Sequence, residues 1–86
     1  MKQTQLAILK YLQPGSRTFK EIGENLKKLY PNMRTGLNYY NINGLLGTLL
    51  FKGLIKHDDL NNSYTYCLTK KGIAELNSRG YYRRLV

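Results

Sequence analysis

The run from Ile42 to Gly72, INGLLGTLLFKGLIKHDDLNNSYTYCLTKKG, constrains the fold more than any other part of this 86-residue chain. Ile42, Leu45, Leu46 and Leu49 follow the three-and-four spacing of one helix face. Gly53 stands just past that run, where glycine ends a helix by taking the left-handed backbone without a Cβ penalty. Leu54-Ile55 and Tyr64-Thr65-Tyr66-Cys67-Leu68 read as two short strands, joined over the polar turn Asn61-Asn62-Ser63. Thr69 then caps a last helix that contains Ile73 and Leu76.

The upstream half reads as helices. A first helix is expected over Thr4 to Leu12, burying Leu6 and Leu9 with Ile8 and Leu12, and Pro14-Gly15 stops it. Thr18 and Glu21 form a T-x-x-E capping box at the start of a second helix. Phe19, Ile22, Leu26 and Leu29 supply its buried stripe, and Pro31-Asn32 closes it. The segment Asn32 to Leu37 is a basic connector holding Arg34. The third helix begins within Thr35 to Tyr39 and ends at Gly53. A fourth helix covers about Lys70 to Ser78, and Gly80 is its stop. Tyr64 and Tyr66 share a strand face with Leu68 and are expected in the core, while Tyr11 and Tyr30 close it between helices. The fold class expected is α+β, mainly α: a three-helix core, a two-stranded hairpin and a C-terminal helix. Residues 1–86 read as one domain, with 81–86 a short basic and aromatic tail. That tail could pack on the first helix, mediate dimer contacts or lie on DNA.

Charge directs the functional reading. Fourteen Lys and Arg face five Asp and Glu, a formal net charge of +9. Such an excess favours a polyanionic partner over a surface that is basic only for solubility. A membrane surface would want the basic residues gathered on one amphipathic helix, and here they are spread along the chain. No apolar run approaches the roughly 18 residues of a membrane span. The N-terminal MKQTQLAILKYLQPG lacks a signal-peptide cleavage site. Cys67 has no partner for an internal disulfide, and one His with one Cys does not make a zinc site. A reducing cytosol is the expected setting, with no metal and no cofactor.

In the order helix, helix, helix, strand, strand, helix, the stretch Thr18 to Thr69 resembles the winged helix-turn-helix superfamily, and within it the small MarR-like and PadR-like regulators. Two strings carry the resemblance: Ile42-x-x-Leu45-Leu46-x-x-Leu49-x-x-x-Gly53-Leu54-Ile55 and Tyr66-Cys67-Leu68-Thr69-Lys70-Lys71-Gly72. The resemblance implies that the first string is a recognition helix with its exit. The second is the returning wing strand entering the last helix.

With Ile42, Leu45, Leu46 and Leu49 inward, the opposite face of the third helix carries Tyr40, Asn43, Gly44, Gly47 and Phe51, with Asn41 and Thr48 on one shoulder. Asn pairs with adenine in the major groove and Thr touches a thymine methyl. Recognition helices read bases with their N-terminal part. The expected base-contacting set is therefore Asn38, Tyr39, Tyr40, Asn41, Asn43 and Gly44, with Thr48. Abundant Asn and Tyr is equally a mark of chains encoded by AT-rich DNA. Gly44 and Gly47 leave a notch between Tyr40 and Phe51. It suits close approach of a polyanion, a partner helix in a dimer, or merely a weak helix held by its core. Expected phosphate contacts are Arg17, Thr18, Lys20, Arg34 and Lys52. The wing offers Lys56, His57, Asn61, Asn62 and Ser63. Asp58 and Asp59 would repel phosphate, so either they sit at the hairpin base facing away or the wing stays out of the groove.

These features together lead to the expectation of a sequence-specific double-stranded DNA-binding protein, a small homodimeric transcriptional regulator located on DNA in the cytoplasm. The alternative is a winged-helix protein-interaction module without DNA specificity. Single-stranded nucleic acid, stacked on Tyr39, Tyr40 or Phe51, is a third option. No Ser/His/Asp set, phosphate loop or metal-ligand cluster suggests an enzyme, and no small-molecule ligand is indicated.

Overall fold

The computed structural model describes residues 1–33, 35–58 and 64–81. Four α-helices and three short strands run in the order α1 (Gln3–Tyr11), β1 (Arg17–Thr18), α2 (Phe19–Leu29), α3 (Tyr39–Phe51), β2 (Ile55–His57), β3 (Thr65–Leu68) and α4 (Lys70–Ser78), with a 3-10 turn at Pro31–Met33 between α2 and α3. The α+β, mainly helical class is the one expected. The sheet differs, because it has three antiparallel strands in the order β1-β3-β2. Arg17 pairs with Tyr66 and Thr18 with Thr65. On the other side of β3, Ile55 pairs with Leu68, Lys56 with Cys67 and His57 with Tyr66. A strand of two residues carries no alternation to read, and only its partner reveals β1.

One core joins the helices to the sheet. It comprises Ile8, Leu9 and Leu12 of α1, Ile22 and Leu26 of α2, Leu37 of the connector, Ile42, Leu46 and Leu49 of α3, then Leu54, Ile55, Tyr66 and Leu76. Two expected core residues are instead exposed: Leu29 (55%) and Tyr64 (68%). On α2 the buried stripe is Ile22, Gly23 and Leu26, so Leu29 in the last turn lies past the packed face. A Cβ on Gly23 would sit 3.3 Å from Ile42 Cδ1, which shows how closely α2 and α3 approach. On α4 the buried pair is Gly72 and Leu76, one helical turn apart, which swings Ile73 outward. Tyr64 precedes the paired part of β3. Leu6 is only half-buried, while Thr4 and Gln5 of α1 are buried. Tyr11 and Tyr30 pack against the core from its margin, as expected.

A compact joint fixes the end of α3 to the start of α4. Gly53 has φ +72°, the left-handed turn that releases the chain from α3. The Thr69 hydroxyl donates to the Gly53 carbonyl at 2.6 Å and accepts from the Gly72 amide at 3.0 Å. The Thr69 amide donates to the Leu54 carbonyl at 3.2 Å. Gly72 packs so tightly beneath Leu54 that a Cβ there would collide with the Leu54 carbonyl oxygen. Backbone cannot yield as a flexible side chain does. Gly72→Ala is therefore expected to lower stability by about 1–3 kcal/mol or more. By contrast, open space surrounds Gly44 and Gly47. Alanine at each of these helical positions should raise stability by up to about 1 kcal/mol. Urea unfolding of the three variants checks the opposite signs.

Candidate nucleic-acid interface

Helix α3 begins at its cap. Asn38 precedes the helix, and its side-chain oxygen accepts from the Asn41 amide at 2.9 Å. Asn38 thus has a structural task in addition to any contact expected of it. Asn41 is tied down as well, its side-chain amide donating to the Gly36 carbonyl. The Thr48 hydroxyl donates back to the Gly44 carbonyl at 3.1 Å. Tyr39 packs its ring 5.2 Å from Phe19 of α2 and 5.8 Å from Tyr40. Tyr40 is 82% and Phe51 92% exposed. Asn43, Gly44 and Gly47 are exposed between them. The face expected to point outward does so, and α3 carries no acidic residue.

The helix stands as a ridge between two grooves. On one side, α2 and α3 form a groove lined by Phe19, Lys20, Gly23, Glu24, Lys27, Leu37, Tyr39 and Ile42. On the other, a wider groove runs between the start of α1 and α3, with Lys2, Gln5, Met33, Tyr40, Asn41, Gly44 and Thr48 among its walls. Lysines therefore stand on both flanks, Lys20 and Lys27 on one and Lys2 on the other. Lys2 and Lys27 were not among the residues expected at the site. Neither lies near α3 in sequence, and no local pattern announces the grooves.

The expected phosphate contacts divide. Lys20 is exposed beside the ridge, and Lys52 is exposed at the C-terminal end of α3, about 20 Å along the axis from its start. Arg17 turns toward α1, its guanidinium 4.6 Å from the centre of the Tyr11 ring and 3.9 Å from the Glu21 carboxylate. Thr18 caps α2, its hydroxyl accepting from the Glu21 amide at 3.1 Å while its own amide donates to the Glu21 carboxylate at 2.9 Å. The amides at this helix start are thus met within the chain, that of Thr18 by the Glu21 carboxylate, that of Glu21 by the Thr18 hydroxyl and that of Phe19 by the Tyr64 carbonyl. Arg34, Asn61, Asn62, Ser63 and Asp59 lie outside the described residues, as do residues 82–86 of the tail.

In the hairpin, Lys56 and His57 are exposed on β2. The His57 ring lies 4.8 Å from that of Tyr66. Burial pushes the Tyr66 hydroxyl pKa up, with Tyr39 and Tyr64 adding to the effect. Asp58 sits where β2 ends and accepts from the Ser16 hydroxyl at 2.5 Å, which directs its carboxylate to the α1–β1 loop. Tyr81 packs back on α1, its carbonyl accepting from the Gln13 amide at 2.9 Å and its ring lying 4.3 Å from the Lys10 ammonium. Half-buried Cys67 borders a cavity of about 160 Å³ between α1, β3 and α4, none of whose walls belongs to α3. Among the described residues, no group of three or more His, Cys, Asp and Glu could hold a metal ion. No helix there is long and apolar enough to cross a membrane.

Comparison with protein-family models, with curated proteins and with solved structures finds no match. The geometry of the site itself yields a pH test. The Thr18 amide holds the Glu21 carboxyl pKa below its ordinary value of 4.5; burial opposes it, and the Thr18 hydroxyl and Arg17 add to the lowering. A depressed folded pKa means stability that is full above the unfolded value and lost as pH falls through the folded one. Urea midpoints should fall between pH 6 and pH 3 by less in Glu21→Gln than in the parent. An equal fall in both would remove Glu21 from the acid response.

Proposed function

We propose that this chain is a winged helix-turn-helix protein that binds double-stranded DNA in a sequence-specific manner, with α3 in the major groove, and acts as a small transcriptional regulator. One observation carries the reading: α3 is an acid-free, solvent-facing ridge between two grooves, one walled by Lys20 and Lys27 together with Glu24 and the other by Lys2. The major groove, about 12 Å wide, admits an α-helix. With α3 seated there, Lys20 and Lys27 meet one phosphate strand and Lys2 the other. The net charge of +9 supplies the sequence-independent attraction. The neutral face is left to discriminate bases. The element order supports the same reading: three helices with the short strand β1 between the first two, a hairpin and a fourth helix, with the two strings of the sequence meeting at the Gly53–Thr69 joint. The proposal includes a homodimer on two half-sites about one helical turn apart. It includes no catalytic step.

Exposed rings favour a second reading. Phe51 and Tyr40 stand almost free of the fold, and exposed apolar groups on one surface mark protein interfaces. On this reading the same ridge docks a protein partner.

Salt separates the two. Binding to duplex DNA through several phosphates should weaken with a log–log slope of about −0.9 per phosphate contacted. Fluorescence anisotropy of a labelled duplex over a salt series measures it. No binding near physiological salt favours the protein-interaction module. The notch is tested alongside: the Gly44→Ala, Gly47→Ala double variant, although more stable, should bind duplex less tightly. Unchanged affinity would show that the helix does not approach DNA closely there.

A further inference from the structure

The polar side chains of α3 are not equally available. Asn38 is committed to the cap, Asn41 donates to the Gly36 carbonyl and Thr48 donates to the Gly44 carbonyl. Asn43 is exposed, and among the described residues its side chain has no hydrogen-bond partner. At about 100° per residue, Asn43 falls between the Tyr39 shoulder and the outward line of Tyr40, Gly44, Gly47 and Phe51. Gly47, four residues on, is its neighbour one turn later, and Gly44 adjoins it. Nothing lies within 4 Å of where a Cβ would stand at either glycine. No side chain therefore stands beside Asn43 at Gly44 or Gly47, while the Asn43 amide itself leans toward the turn of Tyr39 and Tyr40.

We infer that Asn43 is the specificity-determining residue of the ridge and that it reads an adenine, so that each half-site holds an A·T pair at a set position. This rests on the duplex reading above. An amide offers an acceptor and two donors, which match the N6 donor and N7 acceptor of adenine in the major groove. Asn has a short side chain, so this pairing requires the helix backbone to come close to the base edge. The two glycines remove the side chains that would prevent it. Asn41, by contrast, acts as a positioning residue, since its amide holds the connector to the first turn of α3.

The test is selection of sites from random duplexes with the full chain, run in parallel on the parent, Asn43→Ala and Asn41→Ala. The parent should select sites with an invariant A·T position. Asn43→Ala should lose preference at that position by about 5- to 150-fold, the range of one bidentate base contact. Its affinity for unselected duplex and its salt slope should not change. Asn41→Ala should keep the base preference. Asn43→Asp should move the preference toward cytosine, because a carboxylate accepts from the cytosine N4 amine. Circular dichroism confirms that each variant is folded. A selective parent with an unchanged Asn43→Ala preference overturns the role of Asn43 and leaves the duplex reading standing. A parent that selects no duplex overturns both.

Discussion

The Thr69 hydroxyl is the point on which the rest of the architecture turns. It donates to the Gly53 carbonyl and accepts from the Gly72 amide, so one side chain ties the turn after α3 to the start of α4. Without it, the carbonyl of that turn and an amide of α4 would each want a partner in a half-buried place, which costs about 1–3 kcal/mol per group. Gly53 and Gly72 serve the same joint in different ways. Gly53 supplies a positive φ, and Gly72 supplies the absence of a side chain under the Leu54 carbonyl. The joint sets the angle at which the chain leaves α3, and hence where β2 and β3 lie. From there the pairing of β3 with β1 reaches the start of α2, where the Phe19 amide donates to the Tyr64 carbonyl at 2.8 Å. The position of α2 against α3 follows through that path as well as through Ile22, Leu26 and Ile42 in the core.

This arrangement explains the distribution of charge around α3. A helix that carried its own lysines outward would bind any polyanion. Here α3 has no charged residue between Tyr39 and Phe51, and the nearby cations come from α1, α2 and the residue that follows α3. Among the described acids Glu24 stands in the wall of the α2–α3 groove, while three are occupied: Glu21 in the cap of α2, Asp58 with Ser16, and Glu75 with Arg79 at 3.6 Å. Their charge is answered locally, which weakens its reach toward the ridge. Exposed pairs of this kind add little stability, so their effect is on the field around the ridge more than on the fold.

The helices were legible because their signals are local. The T-x-x-E box at Thr18 is formed as read, the Thr69 cap likewise, and the Ile42–Leu46–Leu49 stripe is buried. Asp58, read as either facing away at the hairpin base or keeping the wing out of the groove, lies at that base and turns to Ser16. Errors arose where a neighbour distant in sequence sets the environment. Leu29 and Tyr64 fit their periods but reach past the surface that covers their neighbours. The site was legible as a face of α3 and not as a ridge. Lys2 and Lys27 joined it only when α1 and α2 packed alongside. Asn38, Asn41 and Thr48 looked free as side chains, but backbone partners engage them.

By itself, the sequence determined where helices start and stop, which face of α3 is apolar, and that the chain carries a large positive excess. Those properties depend on residues within a turn or two of one another, or on a simple sum. Only the tertiary structure decided that two residues at Arg17–Thr18 form a third strand, that Gly53, Thr69 and Gly72 make one joint, and which amide of α3 stands unengaged. Each of those depends on a hydrogen-bond partner or a packing neighbour brought near by the fold. No local period or cap encodes such a neighbour.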